Sequence, residues 1–274
     1  MKISAFSLAL VFLTLGLTTS AYSYAAAPGW NALSQQADLL YRQGQYTRAT
    51  EVAKQALQVA EQALGPDHPD VATSLNSLAL LYSAQEQYAQ AEPLYQRALA
   101  IDEKVHGPDH PDVAASLNNL AQLYHAQEQY ARAEPLHKRA LAILEKVFGP
   151  DHPNVAISLN NLALLYHAQQ QYAQAEPLYK RVLAISQKAL GPEHPNVALG
   201  LNNLAGLYRD QGKYPNAEPL FRRALAISEK AFGPDHPNVA TGLENLAQLY
   251  RDIGHASKAV PLEKRAAAIR ALRR

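Results

Sequence analysis

Gly65-Pro66-Asp67-His68-Pro69 is the stretch whose reading decides the fold. The same five residues begin again at Gly107, Gly149 and Gly233, and a near copy, Gly191-Pro192-Glu193-His194-Pro195, fills the remaining slot. Each copy starts 42 residues after the one before. A fixed period of this size marks a solenoid of stacked supersecondary units. Units begin near Trp30, Asp70, Asp112, Asn154, Asn196 and Asn238. The first lacks a preceding copy but keeps the register: Leu33, Tyr46, Ala49 and Ala56 fall 42 residues before Leu75, Tyr88, Ala91 and Ala98. The chain therefore divides into repeats at about 28–69, 70–111, 112–153, 154–195, 196–237 and 238–274, in a solenoid spanning 26–274.

Each unit reads as two helices. Leu117, Leu120, Ala121 and Tyr124 follow the i, i+3, i+4, i+7 spacing of one helical face. Gln127-Glu128-Gln129 is a polar turn, and its later counterpart carries Gly212, suited to a left-handed helix end. A second stripe runs Ala133, Leu136, Ala140, Leu141, Ile143, Leu144 and Val147, until Gly149-Pro150 breaks it. The five-residue run also starts the next helix. Asp151 is the expected N-cap, with His152, Pro153 and Asn154 in the first turn. Glu193 is then a weaker cap, and its junction is expected to fray most. Pro93, Pro135, Pro177, Pro219 and Pro261 lie about one turn into the second helices. Proline deep in a helix costs about 3 kcal/mol, so these helices should begin a residue or so after Tyr88 and its equivalents.

Small residues recur where helices must approach: Ala79, Ala121, Ala163 and Ala205 in the first helices, Ala91, Ala133, Ala175 and Ala217 in the second. Tyr82, Tyr124, Tyr166, Tyr208 and Tyr250 are the large complement. This pattern resembles the tetratricopeptide repeat. The 42-residue period, with Leu-Asn-Asn-Leu-Ala in the first helix, Ala-Glu-Pro-Leu in the second and Gly-Pro-Asp-His-Pro between units, resembles the kinesin light chain subtype. HEAT and armadillo repeats share the length but not the small/large pattern. The resemblance covers Trp30 to about Arg273. It implies an all-α, right-handed superhelical solenoid of six helix-turn-helix repeats, with a peptide-binding groove lined by the first helices.

Composition narrows the function classes. A net charge of +1 lacks the basic footprint of a nucleic-acid binder. With no cysteine, the fold uses no disulfide or thiolate metal site. Lys2, the uncharged apolar run from Ile3 to Leu17 and the small residues from Ser20 to Ala27 form the tripartite pattern of a secretory signal peptide. Cleavage is expected after Ala25, which makes 1–25 a signal peptide and the product exported, periplasmic or secreted; the alternative is an uncleaved N-terminal membrane anchor. No later run has the length of a membrane span.

A polar stripe crosses the first helices opposite the apolar one. It comprises Asn76; Asn118, Asn119, Gln122 and His125; Asn160, Asn161 and His167; Asn202, Asn203 and Arg209; Asn245 and Arg251. Amide side chains both donate and accept hydrogen bonds, so an asparagine ladder suits the backbone of an extended peptide. The same amides could instead bond to the neighbouring unit and fix the stacking. Ser83, His125, His167, Arg209 and Arg251 share one position, so cationic character is expected to grow toward the C-terminal end, receiving acidic residues of a partner, with the histidines strengthening binding as pH falls. Tyr95, Tyr179 and Phe221 should pack on the following unit, whereas the last unit has Glu263 there. The basic tail, Lys264, Arg265, Arg270, Arg273 and Arg274, complements the last helix dipole.

No catalytic constellation rises above the repeat pattern. The loop histidines His68, His110, His152, His194 and His236 stand one period apart, on the order of a helix-packing distance of 10 Å, too far to share a metal ion. Glu134 with Lys138, Glu176 with Lys180 and Glu218 with Arg222 are i, i+4 ion pairs. The expectation is a non-catalytic scaffold without cofactor or metal, binding a partner peptide or helix of unknown identity; its open ends leave self-association as an open alternative. The alternative is a structural spacer in a cell-envelope complex.

Overall fold

The computed structural model describes residues 29–272. The proposed signal peptide and Arg273 and Arg274 lie outside them. Among the described residues the chain forms twelve α-helices and no strand, paired as six units. The first helices are α1 (Trp30–Arg42), α3 (Pro69–Ala84), α5 (Pro111–Ala126), α7 (Pro153–Ala168), α9 (Pro195–Asp210) and α11 (Pro237–Asp252). The second helices are α2 (Tyr46–Leu64), α4 (Tyr88–His106), α6 (Tyr130–Phe148), α8 (Tyr172–Leu190), α10 (Tyr214–Phe232) and α12 (Ala256–Ala271). Each second helix packs against its own first helix and, in all but the last unit, against that of the next unit. First helices of successive units also touch, α3 with α5, α5 with α7 and α9 with α11, and no two second helices come as close among the described residues. An array whose first helices approach one another curves toward them, so they line its inner face.

The core follows the small/large alternation. Ala79, Ala121, Ala163, Ala205 and Ala247 are fully buried or nearly so, as are Ala91, Ala133, Ala175, Ala217 and Ala259. With Tyr124, Tyr166, Tyr208 and Tyr250 they form one continuous spine along the helix-turn end of the array. At the opposite end the core divides into separate apolar clusters, for example Val197, Ala198, Leu201, Ala224 and Ile227 of the fifth unit, while the third and fourth units share one. The second helices begin at Tyr88 and its equivalents themselves, a residue earlier than expected, so each interior proline stands at the sixth position, deeper in the helix than the sequence argument allowed. No described helix is long and apolar enough to cross a membrane.

Gly-Pro-Asp-His-Pro works differently from the sequence expectation. The N-cap is histidine, not aspartate. His152 is extended, and its Nδ1 accepts the backbone N–H of Asn154 at 3.1 Å, with Pro153 as the first helical residue. The same bond recurs at His68, His110, His194 and His236. Imidazole nitrogen thus takes the part usually played by a carboxylate or hydroxyl oxygen. The aspartate faces the next unit instead: Asp151 receives Nζ of Lys188 at 2.7 Å, and Asp67 and Asp109 receive Lys104 and Lys146. Glu193 holds Lys230 only at 3.5 Å. Its junction keeps the histidine cap, so the expected fraying loses its basis and the substitution weakens an exposed ion pair. An arginine straps each loop as well: Arg181 donates to the Pro150 carbonyl and pairs with Glu145.

Candidate functional site: the inner face of the first helices

The polar stripe lies on α3 to α11, but its members are not equivalent. Asn76 Nδ2 donates to Ser116 Oγ at 3.0 Å, and Ser116 donates to the buried Asp102 carboxylate at 2.6 Å. Asn203 Nδ2 donates to Asn160 Oδ1 at 2.7 Å. These two contacts cross between units and fix their stacking. Asn118 is 8% exposed and faces His137, with 2.8 Å between Asn118 Oδ1 and His137 Nδ1. An amide oxygen accepts only, so His137 carries its proton on Nδ1. Its Nε2 is buried without a hydrogen-bond partner, and burial pushes its pKa down to about 3.

The sequence reading missed His137. It occupies the position of Tyr95, Tyr179 and Phe221, all buried, and this break in the repeat was the available signal. The other three positions behave as expected, and Glu263 instead forms two hydrogen bonds with Arg251.

Asn119, Gln122, Asn161 and Asn245 make no side-chain hydrogen bond among the described residues and are partly exposed. Asn202 Oδ1 is buried without a partner. The stripe thus separates into amides occupied within the array and amides with unfilled capacity.

The expected cationic gradient is neutralised within the chain. Nε2 of His167 lies 2.9 Å from Asp210 Oδ2. Arg209, 6% exposed, donates to Asp210 and lies 3.6 Å from Asp252. Burial raises the Asp210 pKa, but hydrogen bonds from His167 and Arg209 outweigh it and hold that carboxyl below its ordinary value. His125 has its pKa lowered by burial, opposite to the shift a pH-responsive cation needs. These residues therefore do not form the expected row of open cations.

Tyr124, Tyr166, Tyr208 and Tyr250 each donate their hydroxyl to the Ala-Glu-Pro-Leu glutamate of the preceding unit, Glu92, Glu134, Glu176 and Glu218, at 2.8–3.0 Å. Glu134, Glu176 and Glu218 also hold their i+4 cations as expected.

The tetratricopeptide repeat family model matches the chain at residues 31–104, 78–146, 123–188, 155–209 and 196–271. The chain belongs to that family. Its 42-residue units are of the kinesin-light-chain-like kind. A Podosopora anserina protein of nearly identical kinesin light chain TPR-like repeats is 31% identical, with 76% of this chain and 98% of that one covered and a TM-score of 0.64. BtubC (BKLC) from P. vanneervenii is 26% identical, with 88% and 92% covered and a TM-score of 0.67. The fold is also shared with PilW, a type IV pilus biogenesis factor, at 21% identity, 87% and 92% coverage and a TM-score of 0.62. No curated protein matched the chain. Proteins of this family typically serve as interaction scaffolds without catalysis.

Proposed function

We propose that this chain is an exported, non-catalytic scaffold that captures an extended segment or helix of a partner protein along the inner face of its first helices. The observation that carries the reading is the unfilled amide capacity of the partly exposed Asn119, Gln122, Asn161 and Asn245 on α5, α7 and α11. A peptide backbone offers alternating N–H and C=O groups, and a side-chain amide serves either. Asn76, Asn118, Asn160 and Asn203 hold that surface in shape. Arg209 and Arg251 belong to its paired C-terminal border.

The chain matched to the Rap protein, 16% identical with 88% and 74% covered and a TM-score of 0.63, was crystallised with competence and sporulation factor; at that identity it supports the fold alone. Export rests on the run from Lys2 to Ala27.

A photo-crosslinker at Gln122 is expected to capture a partner in the native compartment, whereas one at Ala142, exposed on α6, is not. Capture only from Ala142 overturns the groove in favour of an outer-face spacer. Export is checked by N-terminal sequencing, which should begin at Ala26.

A further inference from the structure

We propose that His106, His110 and Asp112, at the junction of the second and third units, form a binding site for a divalent transition metal ion of zinc's ligand preference. Their ligand atoms lie within 4.8 Å of one another. Nε2 of His106 is 3.7 Å from Asp112 Oδ2, and Nδ1 of His110 is 3.4 Å from the same oxygen. A tetrahedral zinc ion with ligands at about 2.0–2.2 Å holds them roughly 3.4 Å apart, so the three side chains stand within reach of a shared ion, although their rings must reorient to bind it. Two imidazoles and one carboxylate suit zinc, nickel or copper over calcium or magnesium, which take oxygen ligands.

The repeat supplies an internal control. At the His106 position the other units have Leu64, Phe148, Leu190 and Phe232, and at the Asp112 position the last three have Asn154, Asn196 and Asn238. His68 and Asp70 reproduce two ligands beside Leu64. All three coincide at one junction. Metal ligands sought one period apart miss this set, which lies within a single loop and the helix ends on either side.

Binding requires a local rearrangement. The rings of His106 and His110 are stacked, with centroids 4.5 Å apart and planes at 20°, as are Phe148 on His152 and Phe232 on His236. Nitrogen lone pairs lie in the ring plane, so stacked rings cannot converge on one ion. His106 ends α4 with its side chain 25% exposed and turns out of the stack. Nδ1 of His110 exchanges its 3.2 Å contact with the Asp112 N–H for the ion. The α4 carbonyl end and the α5 amide end meet here with opposing dipoles, and Asp112 offsets part of the ion's charge.

The test titrates zinc chloride into the untagged full chain by calorimetry, with cobalt(II) absorption as a second readout. The replacements are His106→Leu and Asp112→Asn, residues that sister units carry at these positions. One saturable site is expected, weakened at least tenfold by either replacement with helicity and melting temperature of the apo chain unchanged, and cobalt should show the intense visible bands of a low-coordinate site. No saturable binding, or binding that both replacements leave intact, overturns the proposal.

Discussion

At the N-terminus of α7 the difference between two adjacent residues is measurable. His152 Nδ1 accepts a first-turn N–H and its ring stacks on Phe148, whereas Asp151 makes only an exposed ion pair with Lys188. His152→Ala should therefore cost about 1 kcal/mol, the usual worth of a cap, while Asp151→Ala should barely move the urea midpoint. The reverse order would restore aspartate as the cap. Residue-scale chemistry also sets the pH response. His137, pushed down to about 3 by burial, stays neutral in the fold; its contribution is intact above the unfolded value near 6.5 and is lost as pH falls, by about 2 kcal/mol at pH 5. Asp102, pushed up to about 7 mainly by burial, with the Asp112 charge adding to it, works in the opposite sense. Its ionised form penalises the fold at pH 8, and protonation on acidification returns about 2.5 kcal/mol by pH 5. The two oppose each other in the native chain. Denaturation at pH 8 and pH 5 should show that Asp102→Ser loses stability on acidification relative to the native chain and His137→Tyr gains it. Parallel pH profiles for all three proteins would contradict both assignments.

At the scale of the element, each first helix ends in the same paired turn. Gln129 N–H donates to the Tyr124 carbonyl and Glu128 N–H to that of His125, with Glu128 left-handed at φ 57°. Gly44, Gly212 and Gly254 occupy that position in other units at φ 72–78°, but Glu86, Glu128 and Gln170 adopt it despite a side chain. A left-handed non-glycine residue costs about 1–2 kcal/mol, of which glycine's chain entropy returns a part. Glu128→Gly is therefore expected to stabilise by up to about 1 kcal/mol in chemical denaturation; destabilisation would mean the turn is not the strained element. Helix number and type were legible, and boundaries to within a residue, because the 42-residue period and the Ala/Tyr alternation repeat the same information in every unit. The cap was not, because aspartate and histidine are adjacent and the usual preference favours the acid. The site was legible as a surface but not as a set of roles. Asn118 and Asn119 are neighbours of one type, and only packing shows that one meets His137 on the partner helix. Likewise Asp210, Asp252 and Glu263 were visible in the chain, but stacking is what brings Asp210 to His167 and Asp252 to Arg209, and helix pairing within the last unit is what brings Glu263 to Arg251.

For the whole molecule, stability is close to a sum of units and nearest-neighbour junctions. Every strap runs from one unit to the next: Lys to the loop acid, Arg to the loop carbonyl, Tyr to the preceding Glu. Deleting residues 154–195 joins Pro153 to Asn196 and restores each of these contacts in register. Such a chain should keep its helicity per residue and unfold cooperatively at a lower temperature, as read by circular dichroism; loss of cooperative unfolding would show dependence on more distant units. The inner face, by contrast, draws on several units at once, and its proposed role as a backbone-reading groove is the central claim. The most direct measurement is the affinity of a peptide captured through Gln122 for the native chain and for a variant with Asn119→Ala, Gln122→Ala and Asn161→Ala together. At least a tenfold loss of affinity with unchanged melting temperature is predicted; equal affinity for the two proteins would contradict the account.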